Sequence, residues 1–215
     1  MSLLQHFSPG FSNNRYLGIW YKSIPGRTTV WVASRLHPIN DSSSLLKIDD
    51  TENLVLLRNN SDIVVWSSST TIKAQSPILQ LLDFGNLVLR DKNDGNNGIL
   101  WQSFDYPCDT MLPGMKLGWD FWTGFDRYLS SWKSLDDTSP GDFTWGVQPE
   151  GNPEIVSWKG SNKYHRSGPW NGIGFSGAPE IRPSPFFFSF SFISNDKELY
   201  YTYNLNNKSI ITRIV

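Results

Sequence analysis

Charge is scarce in this chain. Asp, Glu, Lys and Arg make up 18% of the 215 residues and nearly cancel, to a net charge of −1. Such a balance leaves no electrostatic footprint for nucleic acid or an anionic membrane. Cysteine is scarcer still. Cys108 stands alone, so no internal disulfide can form, and a lone thiol with no base beside it is no nucleophile. The three histidines, His6, His37 and His165, are scattered, which argues against a metal cluster or a catalytic triad. No apolar run approaches the roughly 20 residues of a membrane span. The start, Met1 to Pro9, lacks the basic region and apolar core of a signal peptide. No stretch carries the period of an amphipathic helix. Catalytic residues, metal ligands and cofactors are therefore not expected.

Aromatic residues are abundant, at 14% with 10 Trp, beside 17 Gly and 13 Pro. That mixture reads as all-β with many turns. Trp31, Trp66 and Trp101 recur at a spacing of 35 residues, each after an aliphatic residue (Val30, Val65, Leu100). Between them lie two near-copies of one strand pair, Leu46–Leu57 and Leu79–Arg90. A fixed period in this range marks a repeat whose units cannot bury their own apolar faces and must pack on their copies. The expectation is a closed, pseudo-threefold β structure.

Strands are predicted over 15–22, 28–33, 63–67 and 99–103, with Pro25-Gly26 and the Asn/Asp/Gly-rich Asp91–Gly98 as turns. The period ends near Tyr106-Pro107, which suggests a domain boundary there. Beyond it Phe143, Trp145 and Val147 alternate, Ile155–Trp158 returns, and Phe186–Ile193 alternates Phe with Ser as a half-buried strand would. Leu199–Tyr203 and Ile210–Val215 complete the reading, the last as a strand cut short by the chain's end.

Two strings mimic protein kinases: Asp83-Phe84-Gly85, and the glycines of Gly172–Gly177. Their order is inverted relative to a kinase, Pro179 stands where a valine is required, and no catalytic loop lies between them. Both read as turn chemistry, with Glu52 at the place of Gly85 in the earlier copy. The pairs Asp49-Asp50 and Asp136-Asp137 would face opposite sides of a strand and do not form an acid–base couple. Three Asn-x-Ser sequons begin at Asn40, Asn59 and Asn207. They point to N-glycosylation and the secretory route, against the cytosolic hint of a single cysteine.

The repeat holds Asn at a fixed place, Asn53 and Asn86, each followed by Leu-Val-Leu. This resembles the bulb-type mannose-binding lectins, whose sugar strand reads Gln-x-Asp-x-Asn-x-Val-x-Tyr. Longer motifs resemble the ectodomain of plant S-locus glycoproteins and G-type lectin S-receptor-like kinases. They include Tyr16-Leu-Gly-Ile-Trp-Tyr21, Leu100-Trp-Gln-Ser-Phe-Asp-Tyr-Pro107, Leu112-Pro-Gly-Met-Lys-Leu-Gly118, Ser131-Trp-Lys-Ser134 and Arg166-Ser-Gly-Pro-Trp-Asn-Gly172. The resemblance covers essentially the whole chain. It implies tandem β-prism II units: a bulb-type lectin domain over 1–105, and a second lectin-like unit over 106–215 running into an S-locus glycoprotein segment from about 165. Relative to the family the first strands are missing, so the first sheet is expected to be incomplete, and Cys108 takes the place of a serine. The kinase domain that such receptors carry has no counterpart here, so no enzyme is expected.

Carried over by position, the sugar motif falls on Asp49, Thr51, Asn53, Val55 and Leu57 in one copy. In the next it falls on Leu82, Phe84, Asn86, Val88 and Arg90. In each only Asn and Val survive. A lost hydrogen bond costs on the order of 1 kcal/mol, and a millimolar sugar has about 4 kcal/mol in all. The degenerate sites, Asp49, Thr51, Asn53, Val55, Asn86 and Val88, are thus expected to hold mannose weakly or not at all, the asparagines serving turns instead.

The function implied by the resemblance is extracellular, non-catalytic recognition, such as that of pollen, through a protein or peptide ligand and a receptor homo- or hetero-dimer. Exposed aromatics and strand edge of the second half, Phe186–Ile193 and Trp170, are candidates for that surface, although most would serve the core. The competing readings are a mannose-type lectin, and a truncated product without a role.

Overall fold

The computed structural model describes residues 2–22, 24, 28–39, 44–58, 62–94, 98–178 and 183–215. It is all-β, with a single 3-10 turn at Ser103–Asp105 among those residues. Two compact units are present. Unit 1 holds Met1–Tyr106 with Trp132–Pro140, and unit 2 holds Pro107–Ser131 with Gly141–Val215.

Unit 1 contains three antiparallel sheets of three strands. The first joins β1 (Ser2–Phe7), β2 (Tyr16–Tyr21) and β3 (Thr29–Val32). The second joins β4 (Leu45–Ile48), β5 (Leu54–Leu57) and β6 (Val64–Ser67). The third joins β7 (Pro77–Leu81), β8 (Leu87–Asp91) and β9 (Ile99–Gln102). The central strands are buried along nearly all their length. That is why they read as continuous apolar runs and not as alternation.

Their registers repeat. Ile19 pairs with Trp31, Leu56 with Trp66 and Leu89 with Trp101, and each ladder slips directly after the first-named residue. A bulge at one shared position bends each strand alike. The three indoles meet edge to face, with centroids 6.0, 5.9 and 5.4 Å apart. Three such pairs supply roughly 2–4 kcal/mol beyond their burial. Trp31 also donates its indole N–H to the Tyr106 carbonyl at 3.0 Å.

The first sheet is not short of strands. Ser2–Phe7 pairs along its whole length with Tyr16–Tyr21 and gives this sheet the same three strands as its sisters. A strand with only Phe7 and Ser2 buried is set by its ladder with β2, which a local pattern does not reveal. Trp132–Pro140 also belongs to this unit. Arg35 donates to the carbonyls of Thr138 (2.5 Å) and Ser139 (3.5 Å), both hydroxyls return bonds to the Arg35 carbonyl, and Phe7 packs on Trp132.

The turns between paired strands explain the kinase-like strings. Gly85 donates to the Leu82 carbonyl at 3.0 Å with φ +91°, and Glu52 donates to Asp49 at 2.9 Å with φ +64°. The left-handed conformation suits glycine, so Asp83-Phe84-Gly85 is a hairpin turn. Asn171 caps the loop at Gly172 by accepting from the N–H groups of Ile173 and Gly174. Pro179 lies outside the described residues.

In unit 2, one sheet has the order β11-β10-β17-β16, with β10 (Leu117–Asp120), β11 (Phe125–Arg127), β16 (Phe188–Ser194) and β17 (Glu198–Leu205). A second four-stranded sheet runs β12 (Leu129–Ser134), β13 (Asp137–Gln148), β14 (Glu154–Lys159) and β15 (Asn162–Pro169). Its strands β12 and β13 are shared between the units. The core collects Met111, Leu112, Met115, Leu117, Val147, Val156, Leu199 and Tyr201.

Two strand predictions need correction. Ile210–Val215 forms no strand; Ile214 alone exchanges backbone bonds with Met111, at 2.8 and 3.0 Å. Phe186 and Phe187 lie in a turn, because Ser184 accepts the N–H groups of both Phe187 and Phe188, and β16 starts at Phe188.

Candidate functional site

The sugar-motif positions run from the turn before each central strand to near that strand's end. In the second sheet the polar residues bond one another. Asp49 Oδ1 accepts from the Thr51 N–H (2.9 Å), the Thr51 hydroxyl (2.7 Å) and the Asn53 N–H (3.0 Å). The Thr51 hydroxyl bond leads, with backbone N–H groups helping against desolvation, in holding the Asp49 carboxyl below the usual range. Asn53 Nδ2 donates to Thr51 Oγ1 at 3.1 Å, and its Oδ1 accepts from the Ser68 hydroxyl (2.9 Å) and the Thr70 N–H (2.7 Å).

The third sheet repeats this clasp. Asn86 Oδ1 accepts from the Ser103 hydroxyl and the Phe104 N–H, both at 3.3 Å. Asn86 Nδ2 donates to Gln102 Oε1 at 2.9 Å, and Gln102 Nε2 donates on to Asp105 at 3.0 Å. The serines complete it by accepting strand N–H groups, Leu54 onto Ser68 at 3.1 Å and Leu87 onto Ser103 at 2.9 Å. Val55 and Val88 are buried, as is Leu57, while Leu82 is partly exposed.

Sequence reading missed the serines. They stand two residues after Trp66 and Trp101, and their own 35-residue spacing was the signal. In the first sheet the corresponding positions, fixed by the shared register, hold Tyr16 for Asn and Ala33 for Ser. Both members of the clasp are replaced there together.

Of the other candidates, Trp170 packs edge-on to Phe175 (5.0 Å) and stacks on Phe192 (5.9 Å), within an aromatic cluster that includes Tyr201. Cys108 is buried. Asn207 is exposed in a turn where its Oδ1 accepts the Ser209 N–H at 3.0 Å. Asn40 and Asn59 lie outside the described residues. Among the described residues no group of three or more His, Cys, Asp or Glu is placed to hold a metal, and no helix is long and apolar enough to cross a membrane.

Comparison with known proteins agrees with this architecture. The D-mannose binding lectin domain matches residues 28–133, and the S-locus glycoprotein domain matches residues 165–215. Over nearly its whole length the chain is similar to S-locus glycoproteins and to G-type lectin S-receptor-like kinases. It is 49% identical over 214 residues to the receptor-like serine/threonine-protein kinase SD1-8 of Arabidopsis thaliana, covering 98% of this chain and 25% of that protein. To the S-locus-specific glycoprotein BS29-2 of Brassica oleracea var. alboglabra it is 46% identical, covering 98% of this chain and 48% of that one. The G-type lectin S-receptor-like serine/threonine-protein kinase RKS1 of Arabidopsis thaliana is 42% identical over 210 residues, 96% of this chain and 25% of the kinase. The chain thus spans a quarter to a half of the length of these relatives. The two matches account for lectin and S-locus glycoprotein sequence within this chain.

Proposed function

We propose that this chain is an extracellular, non-catalytic recognition module of the receptor-kinase type, that it binds a protein or peptide ligand or a receptor partner, and that its lectin sheets do not bind mannose. The observation that carries the second part is the clasp. The polar atoms of Asn53 and Asn86 that a sugar hydroxyl would use are already bonded to Ser68, Thr70 and Thr51, and to Ser103, Phe104 and Gln102. A sugar would have to break these bonds to make its own, and exchange of one hydrogen bond for another gains little. Burial of Val55 and Val88 withholds the apolar contact as well. Glycosylation at Asn207 fits the extracellular reading, and the same is proposed for Asn40 and Asn59.

Saturation-transfer NMR with millimolar mannose tests the sugar part, since it detects weak binding. No transfer is the expected result. Transfer to mannose that a competing mannoside abolishes would sink the reading in favour of a working lectin.

A further inference from the structure

Asn171 opens a tight turn in unit 2. Trp170 and Phe175 form an isolated antiparallel bridge at its two ends, and the Asn171 N–H donates to the Gly174 carbonyl at 2.9 Å. Asn171 Oδ1 accepts from the N–H groups of Ile173 and Gly174, both at 3.0 Å. The next residue is Gly172, with φ +97° and, apart from its chain neighbours, nothing within 4 Å of the place a Cβ would take. Both residues are exposed. Among the described residues neither Asn171 Nδ2 nor the Gly172 N–H has a hydrogen-bond partner.

These features make a reactive arrangement. Two N–H groups aimed at one amide oxygen polarise its carbon, and they stabilise the oxyanion that forms when a nucleophile adds there. The nucleophile is already in place. The Gly172 nitrogen can close a five-membered ring onto Asn171 Cγ, and an attack within one chain needs no encounter. Glycine puts no side chain in the way.

We propose that Asn171 is a site of spontaneous deamidation, and that its turn promotes the reaction. The Gly172 nitrogen gives up its proton and bonds to Asn171 Cγ. The bond from Cγ to Nδ2 breaks, Nδ2 takes up a proton and leaves as ammonia, and a succinimide remains. One water then opens the ring. Opening at Cγ leaves aspartate. Opening at the main-chain carbonyl carbon leaves isoaspartate, whose chain runs on through Cβ and Cγ. Either product moves the net charge from −1 to −2.

The turn between β16 and β17 supplies the comparison. Asn195 Oδ1 accepts from the N–H groups of Lys197 (2.8 Å) and Glu198 (3.0 Å), and the Asn195 N–H donates to the Glu198 carbonyl at 3.0 Å. The cap is the same, but Asp196 follows, and its side chain crowds the approach to Cγ. In the other Asn-Gly pair, Asn97-Gly98, Asn97 lies outside the described residues.

The two products differ in their effect. Aspartate keeps an acceptor oxygen where Oδ1 stood, so the turn persists. Isoaspartate inserts a methylene into the main chain between Trp170 and Phe175. That breaks the cap and pulls Trp170 off the rings of Phe175 and Phe192, on which it packs at 5.0 and 5.9 Å. The aromatic cluster of unit 2 thus changes irreversibly with the age of the chain. Neither sugar nor peptide takes part, so this stands or falls apart from the ligand reading above.

The test is peptide mapping by mass spectrometry of the full chain, aged at neutral and at mildly alkaline pH. A synthetic peptide of residues 166–178, which holds the same dipeptide, is aged beside it. The expected result is a gain of one dalton at Asn171, with aspartate and isoaspartate both present and faster conversion at the higher pH. The folded chain converts at least as fast as the peptide, and Asn195 stays intact. Gly172→Ala is expected to slow the reaction at least about tenfold, since a shielded or shifted nucleophile forfeits the advantage of proximity. No conversion at Asn171, aspartate without isoaspartate, or a folded chain slower than the peptide overturns the proposal. So does an Asn195 that converts as fast, or a Gly172→Ala chain that is not slowed. Thermal unfolding reads the consequence. Asn171→Asp is expected to melt with the original chain, and the isoaspartyl chain, purified by ion exchange, below it. An isoaspartyl chain that melts with the original overturns the displacement of Trp170.

Discussion

Removing the Asn86 side chain separates a structural asparagine from a ligand-binding one. In the fold its Oδ1 accepts from Ser103 Oγ and from the Phe104 N–H, both buried, and its Nδ2 donates to Gln102. Asn86→Ala strands the first two groups, while Gln102 is partly exposed and can turn to water. An unsatisfied buried donor costs about 1–3 kcal/mol, and the 3.3 Å bonds are long, so the two together cost roughly 2–3 kcal/mol. In a chain of this size about 1 kcal/mol moves the melting temperature by roughly 2–4 °C. The expected drop is therefore about 5–10 °C, followed by tryptophan fluorescence. Ser103→Ala also releases the Leu87 N–H, so the two substitutions share a network. Combined, they should cost less than the sum by about 1 kcal/mol. An Asn86→Ala protein that melts within about 2 °C of the original, or a double variant that is fully additive, would refute the clasp.

Other outcomes follow from single sites. Gly118 has φ +130°, and a Cβ there would run into the Leu199 carbonyl oxygen and lie 2.9 Å from the Tyr200 Cα; Gly118→Ala should cost about 3 kcal/mol or more in urea unfolding. Gly85→Ala should cost about 1 kcal/mol by the same assay, since its turn needs the left-handed region. Asp126 sits in β11 with a buried Oδ1 that finds no hydrogen-bond partner among the described residues. Desolvation pushes its carboxyl up to about 6 from an ordinary 3.8, against the pull of Arg127. A folded-state value above the unfolded one means the fold binds the proton more tightly. Stability from this group is thus lost as pH rises from about 4 through about 6. Asp126→Asn should gain about 1 kcal/mol at pH 7, after allowance for solvent screening of a part-buried group, and the gain should vanish by about pH 4. A gain independent of pH, seen in paired urea titrations, would contradict this. The carboxyls of Asp49, Asp120 and Asp137 are held low by hydrogen bonds, first those from the Thr51 hydroxyl, the Thr123 N–H and the Ser139 N–H respectively. Their contribution is lost only as pH falls below about 4, outside that window.

The threefold core was legible because its signals are local and repeated. Trp31, Trp66 and Trp101 each sit opposite the same strand position, and the continuous apolar runs at Leu54–Leu57 and Leu87–Leu89 mark strands buried on both faces. The loss of sugar-motif residues at Leu82, Phe84 and Leu57 could be read directly. The partners that occupy Asn53 and Asn86 could not, since Ser68 and Ser103 are 15 and 17 residues away. Trp132–Pro140 joins unit 1 through bonds from Arg35 to backbone carbonyls, which any sequence at 138–139 would offer. β1 depends on the ladder to β2, and its own alternation is weak. In β16 the Phe–Ser alternation located the strand but not its start, because the Ser184 turn captures Phe187 and Phe188.

Thermal unfolding with and without excess mannose tests the central claim most directly. A ligand that binds only the native state must raise the midpoint, by an amount that grows with its concentration over its dissociation constant. The account predicts one cooperative transition whose midpoint does not move with mannose, because the clasped asparagines offer it nothing. A midpoint that climbs steadily with mannose, and not with a non-binding sugar at equal concentration, would contradict the account and make this chain a working lectin.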